Sequence, residues 1–205
     1  MSIVLEANIS ELIEAFGSCS VANISDNLDR AIGAVGIRPF SKKARLVGRA
    51  LTVRTAVGDN LFIHKALDEV FPGAVIVVDG GGFEGRALIG EIMAAIARSR
   101  GASGFIIDGA IRDVEQISAE DFPVFARSSI HLGPYKNGPG ASNVPVSVGG
   151  MLVNPGDIIV GDADGIVAFS PDIASGLLEA TKKQADKEAG MIQNIAKGTY
   201  VSEYS

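Results

Sequence analysis

The chain has 205 residues, 47% hydrophobic and 20% charged, with a formal net charge of −6 and a pI near 4.9. No composition break or Pro/Ser-rich linker divides it, so one globular domain with a sizeable core is expected. The acidic balance argues against nucleic acid as a partner, because phosphate-backbone binders need clustered Lys and Arg and no basic run here exceeds two residues.

The one cysteine, Cys19, has no partner for an internal disulfide, which points to a reducing compartment. Flanked by Ser18 and Ser20 and without a nearby His, it reads as a packing residue. The N-terminus lacks the basic segment of a signal peptide, and no apolar run is long enough to span a bilayer. A cytoplasmic protein with no membrane partner is the expectation.

Ile9, Leu12, Ile13 and Phe16 recur at helical spacing, with Ser10 placed to cap and Gly17 to stop a first helix. Ser20–Arg30 reads as a second helix with Val21, Ile24 and Leu28 on one face. Ile32–Lys43 is punctuated by Gly and Pro and reads as loop. Ala44–Val57 alternates as a half-buried strand does. Gly58-Asp59-Asn60 signals a turn and N-cap before a helix over Leu61–Phe71.

The central unit follows: an apolar strand Ala74–Asp79, a glycine-dense loop Gly80–Gly90, a helix Glu91–Arg100 and a strand Gly104–Asp108. A short helix, Val114–Glu120, precedes a strand at Pro123–Ala126. Gly133–Asn143 reads as a loop long enough to serve as a lid or a subunit contact. Short antiparallel strands are expected at Val144–Val148, Met151–Val153, Asp157–Val160 and Gly165–Phe169. A long helix, Asp172–Lys197, closes the chain, with Ile173, Leu177, Leu178, Ala180, Ala185, Ala189 and Ile192 as its apolar positions. Parallel strand–helix units followed by antiparallel strands define an α/β domain of layered β/β/α type. Its parts are N-terminal helices over 1–43, a core over 44–170 and a C-terminal helix over 171–205.

Gly80–Gly85 satisfies the dinucleotide pattern G-x-G-x-x-G. Asp79 would stand where a pyrophosphate belongs, however, and no second mononucleotide-binding half is present. A second pattern carries more. Arg112-Asp113 follows Asp108-Gly109 at a strand end, and Glu91 opens a helix on the same edge of the sheet. Asp113 alone would read as a cap for the helix beginning at Val114. Together, a carboxylate, a guanidinium and a helix N-terminus face one pocket, and the free N–H groups near Gly90–Met93 suit a substrate carboxylate. His64 reads as a core or surface histidine. His131, just before the Gly/Pro segment, is a candidate for the rim of the pocket. Neither has the partners a zinc site needs.

Glu91, twenty residues, then Arg112-Asp113 sits among further motifs: Gly48–Val53, Gly58–Asn60, Val77–Gly81, Asp108–Asp113, Pro123–Ala126, Val153–Asp157 and Asp162–Gly165. This set resembles the RraA-like family (regulator of ribonuclease E activity A) and, within it, the 4-hydroxy-4-methyl-2-oxoglutarate aldolases. The resemblance runs from about Ser20 to Pro171. It implies a swivelling β/β/α domain assembled as a homotrimer or hexamer. It also implies a class II pyruvate aldolase, dependent on Mg²⁺ or Mn²⁺, that decarboxylates oxaloacetate as well.

By that resemblance Asp113 is the metal ligand and Arg112 contacts the oxo group of a small 2-oxo acid. Gly90, Glu91, Ile92 and Met93 bind the substrate, and Glu91 joins Arg112 and Asp113 in catalysis. Glu91 stands where the family often has Asp, which leaves open direct ligation, ligation through water or proton transfer. The other reading the family offers is a regulator that binds a ribonuclease without catalysis. A metal-stabilised route fits the residues better than a Schiff base, because no Lys lies between Lys65 and Lys136.

Overall fold

The structure, a computed structural model, describes residues 2–29 and 31–202, with side chains from Ile9 onward. The expected Arg30 end of the second helix, and the outermost ends of the expected domain at Met1 and 203–205, lie outside the described residues.

Continuous apolar runs build the centre. Strands β2 (Leu46–Thr55), β3 (Ala74–Ile89), β4 (Gly104–Ile111) and β5 (Val124–Ser129) lie parallel in the order β5-β4-β3-β2. Every residue of β4 is buried, as a strand covered on both faces requires. The short strand β1 (Arg38–Pro39), inside the stretch expected to be loop, pairs antiparallel with β5. On the other side, β9 (Ile158–Gly161) and β10 (Ile166–Phe169) form an antiparallel hairpin against the first half of β2. Strand β6 (Gly140–Ser142) pairs with the second half of β2, so part of the expected Gly133–Asn143 loop belongs to the sheet.

Two layers cover the sheet. Helices α3 (Leu61–Leu67), α4 (Glu91–Ser99) and α5 (Val114–Ala119) bury Ile63, Leu67, Met93, Ala97 and Ile117 against Ile76, Val78, Phe105 and Ile107. On the opposite face the hairpin of β7 (Val146–Val148) and β8 (Met151–Val153) packs its valines and Met151 on Val75, Val77, Ile106 and Phe125. The arrangement is the layered β/β/α domain expected. Burial of a single such core side chain contributes about 1.5–3 kcal/mol.

A third cluster joins the ends of the chain. Helices α1 (Ser2–Phe16) and α2 (Val21–Asp26) set Phe16 and Ile24 against Val160, Phe169, Leu177 and Leu178. Ser20 caps α2 by accepting from Asn23 N–H, and Gly17 ends α1. Ser10 lies inside α1, not at its start. After a 3₁₀ turn at Pro171–Ile173, α6 (Ala174–Ala196) buries only Ala174, Leu177, Leu178 and Thr181. The expected apolar positions Ile173 and Ile192 are exposed, so the packed face ends after two turns. Among the described residues no helix is long and apolar enough to cross a membrane.

The principal correction concerns the glycine-dense stretch. It is not a loop but part of β3, which runs 16 residues. Asp79 pairs with Asp108, Phe83 with Gly109, Ala87 with Ala110 and Ile89 with Ile111. Thus β3 advances ten residues (79 to 89) while β4 advances three (108 to 111), through successive bulges. Gly81 and Gly82, at φ 70° and 68°, supply the left-handed backbone that this excursion demands. The dinucleotide reading loses its physical basis here, since Gly80–Gly85 does not lead directly into a helix N-terminus.

Candidate active site

The bulged end of β3 delivers the chain to Gly90, the N-cap residue of α4. Beside it, β4 ends at Ile111 and Arg112 N–H donates to Ile89 O (3.0 Å), which ties the two strand ends together. Asp113 then adopts a left-handed conformation, φ 58°, ψ 40°, which Asp tolerates better than most residues. That turn aims its side chain away from α5. Its carboxylate makes no capping bond to α5; Oδ2 instead accepts from Glu91 N–H at the start of α4 (3.0 Å). Arg112 Nε lies 3.7 Å from the same oxygen, an ion pair too long for a hydrogen bond. Asp113 Oδ1 keeps its acceptor capacity.

Gly90 is required by contact, not by backbone angle, since its φ of −146° is open to any residue. A Cβ there would overlap Asp113 Oδ2 and lie 3.0 Å from Arg112 Cγ. The glycine lets a carboxylate, a guanidinium and a helix N-terminus share one corner. The N–H groups of Ile92 and Met93 lie in the first turn of α4, where no intrahelical acceptor exists.

These groups open on a small cavity of about 130 Å³, room for roughly four waters. Its wall comprises Asn60, His64, Ala87, Leu88, Ile89, Gly90, Ile92, Met93, Arg112, Asp113, Pro134 and Lys136. Asp113 is the only acid among them, set against Arg112 and Lys136. Asn60 and His64 stand one turn apart at the start of α3, on one face. Asn60 Nδ2 donates to Leu88 O (2.9 Å), while its Oδ1 and His64 Nε2 are buried without a partner. Burial, and next the nearby Lys136 charge, hold the His64 pKa below its ordinary value, so the imidazole is neutral at pH 7. Unpaired buried polar atoms facing a cavity are poised for a ligand.

Of the residues expected to act, Gly90, Ile92, Met93, Arg112 and Asp113 therefore line one cavity. Glu91 brings its backbone N–H to Asp113, but its side chain is exposed and lines a different groove of about 410 Å³ between α4 and α5. That groove is roomier, yet its one cation, Arg98, is bound to Glu120 (2.6 Å), and its one hydroxyl, that of Ser99, donates to Ile96 O (2.8 Å) within α4. His131 is exposed on the far flank of Arg112 and Asp113, in an open depression with Ser129 and Ile130. Asn60, His64 and Lys136 are additions that sequence reasoning missed; the i, i+4 spacing of Asn60 and His64 was the available signal. Lys136 enters from the 133–143 segment, outside the central unit in which a lysine was sought.

Among the described residues no three or more His, Cys, Asp or Glu side chains gather into a metal cage. One carboxylate with a free oxygen at a cavity wall instead fits a cation that keeps most of its waters, as Mg²⁺ does.

The RraA-like family model, described as Aldolase/RraA, matches residues 21–168, and the chain belongs to that family. A Halalkalibacterium halodurans protein, provisionally named a 4-hydroxy-4-methyl-2-oxoglutarate aldolase, is 41% identical over 181 residues, 87% of this chain and 86% of that one. Among solved structures, an uncharacterized protein from Pseudomonas syringae pv. tomato is similar with a TM-score of 0.84 at 27% identity, over 92% of this chain and 90% of that one. The RNA-processing inhibitor RraA from Thermus thermophilus is similar with a TM-score of 0.68 at 31% identity, over 74% and 93%.

Proposed function

We propose that this protein is a divalent-metal-dependent lyase that releases pyruvate from a 4-hydroxy-2-oxo acid and decarboxylates oxaloacetate. The observation that carries this reading is the shared corner of Asp113, Arg112 and the α4 N-terminus at one small cavity. The Halalkalibacterium relative's name supports the aldolase class.

Both reactions leave negative charge on the substrate's C2 oxygen, and a bound divalent cation supplies Lewis-acid stabilisation of that charge. Asp113 would hold the cation through Oδ1, with Oδ2 kept in place by Glu91 N–H. Arg112 faces the oxo oxygen and adds to the stabilisation; one such donor contributes about 3–4 kcal/mol to lowering the barrier. The N–H groups of Ile92 and Met93 bind the substrate carboxylate, helped by the α4 dipole. Neutral His64 offers Nε2 to the substrate hydroxyl. Lys136 is exposed, unlike the desolvated amine of a Schiff-base enzyme, and acts as a cation toward carboxylate.

The test is pyruvate release from a panel of 2-oxo acids with and without Mg²⁺ or Mn²⁺. Asp113→Asn keeps an oxygen for Glu91 N–H, so it should abolish metal-dependent turnover while leaving the fold intact. Arg112→Ala should lower kcat about 10²–10³-fold, more than it raises KM. Absence of activity toward both substrate types in excess metal overturns the reading, and borohydride trapping of pyruvate on the chain would replace it with a Schiff-base route.

The similarity to the RNA-processing inhibitor RraA favours one other reading, a binding protein for a ribonuclease. Stoichiometric capture of a ribonuclease by a catalytically silent chain would establish it.

A further inference from the structure

Residues 133–138 pass along the cavity mouth, and alternate residues meet different surroundings. Pro134 and Lys136 line the cavity. Their neighbours are gripped from elsewhere. Arg86 donates through Nη1 to Gly133 O (2.6 Å) and through Nη2 to the Tyr135 hydroxyl (2.9 Å), with its guanidinium 3.9 Å from the Tyr135 ring centre. Tyr135 N–H donates to Gly58 O, and Tyr135 O accepts from Asn60 N–H, in a parallel bridge beside Asp59. Asp59 Oδ2 accepts from the N–H groups of Asn137 (2.7 Å) and Gly138 (2.8 Å), while Oδ1 accepts from Leu61 N–H (2.8 Å).

Lys136 sits at a bend between Tyr135 and Asn137, both held through their backbone, so its own backbone is fixed from either side. Asp59 is only 2% exposed, and losing its carboxylate would strand three backbone donors. Neither Asp59 nor Arg86 lines the cavity. We propose that Asp59 and Arg86 are positioning residues that clamp the 133–138 segment so that the Lys136 ammonium closes the cavity over an anionic ligand. The clamp follows from the contacts alone; its role toward a ligand rests on the oxo-acid reading of the cavity.

The experiment pairs amide hydrogen exchange with calorimetric titration of oxalate in excess Mg²⁺, using the full chain. Asp59→Asn places an amide against two N–H donors, or gives up Leu61 if it flips. Exchange at Asn137 and Gly138 should rise about tenfold, with β3 and β4 unchanged. Oxalate affinity should fall about fivefold in Asp59→Asn, in Arg86→Met and in Lys136→Ala, but Asp59→Asn should add less than about twofold in the Lys136→Ala background. Arg86→Met, at a partly exposed site, serves if Asp59→Asn folds poorly. Unchanged exchange at 137–138 overturns the clamp. An undiminished loss in the Lys136→Ala background overturns its action through Lys136. A wild-type chain that binds no oxalate overturns the oxo-acid reading, and the exchange comparison then still decides the clamp.

Discussion

At the scale of single residues, Gly90 and His64 carry opposite kinds of constraint. Gly90 is held by what surrounds it. Gly90→Ala would drive a methyl into the Asp113 carboxylate and toward Arg112, so a cost of about 1–3 kcal/mol is expected, with loss of oxo-acid binding. Denaturant unfolding and oxalate titration of that one variant measure both effects. His64 is held by what it lacks. Its folded pKa lies below the unfolded value near 6.5, so the unfolded chain binds a proton first as pH falls. The contribution of neutral His64 is therefore fully present above the ordinary histidine value and is lost as pH drops from there toward the lowered folded value. His64→Gln should match wild type in stability above about pH 7.5 and show a flatter decline between about pH 7 and 5 in denaturant midpoints. Equal slopes for the two chains would mean that the imidazole is not neutral in the folded state.

At the scale of elements, β2 was legible by its alternation and β5 by its short apolar start, while the apolar runs of β4 and the first half of β3 could be read directly, because strands covered on both faces leave an uninterrupted hydrophobic signature. The second half of β3 could not. Glycine-rich Gly80–Gly85 shows no alternation, and its pairing with β4 through bulges is a tertiary outcome. The same holds at the site. Arg112 and Asp113 follow an evident strand end, so their place was legible. That Asp113 caps α4 and not α5 depends on its left-handed backbone, which the sequence does not announce. Asn60, His64 and Lys136 meet the others only because α3 packs over the sheet and the 133–138 segment is tethered to Asp59 and Arg86. Glu91 shows the reverse case: its spacing to Arg112-Asp113 is informative, yet as the first residue of α4 it turns its side chain to the α4–α5 groove.

At the scale of the whole molecule, α6 is unevenly held. Glu188 still reaches Asn23 Nδ2 (3.0 Å), but residues 192–200 are exposed. A chain ending at Met191 should lose less than about 1 kcal/mol, a shift in Tm of no more than ~4 °C by calorimetry. A larger loss would mean that another chain covers the end of the helix. Strand β2 raises a different matter. One of its edges is completed in two pieces, by β9 at Leu46–Arg49 and by β6 at Val53–Thr55. On a ribosome adding ~5–20 residues per second, the interval between the birth of β2 and that of β9 is roughly 6–23 s. Until β6 emerges, the whole of that edge is a bare row of backbone donors and acceptors, and its Leu46–Arg49 part stays bare until β9 follows, an invitation to pair with another chain. Polypeptides released before residue 140 should accordingly aggregate or be retained by chaperones, while the finished protein seals that seam with its own last strands.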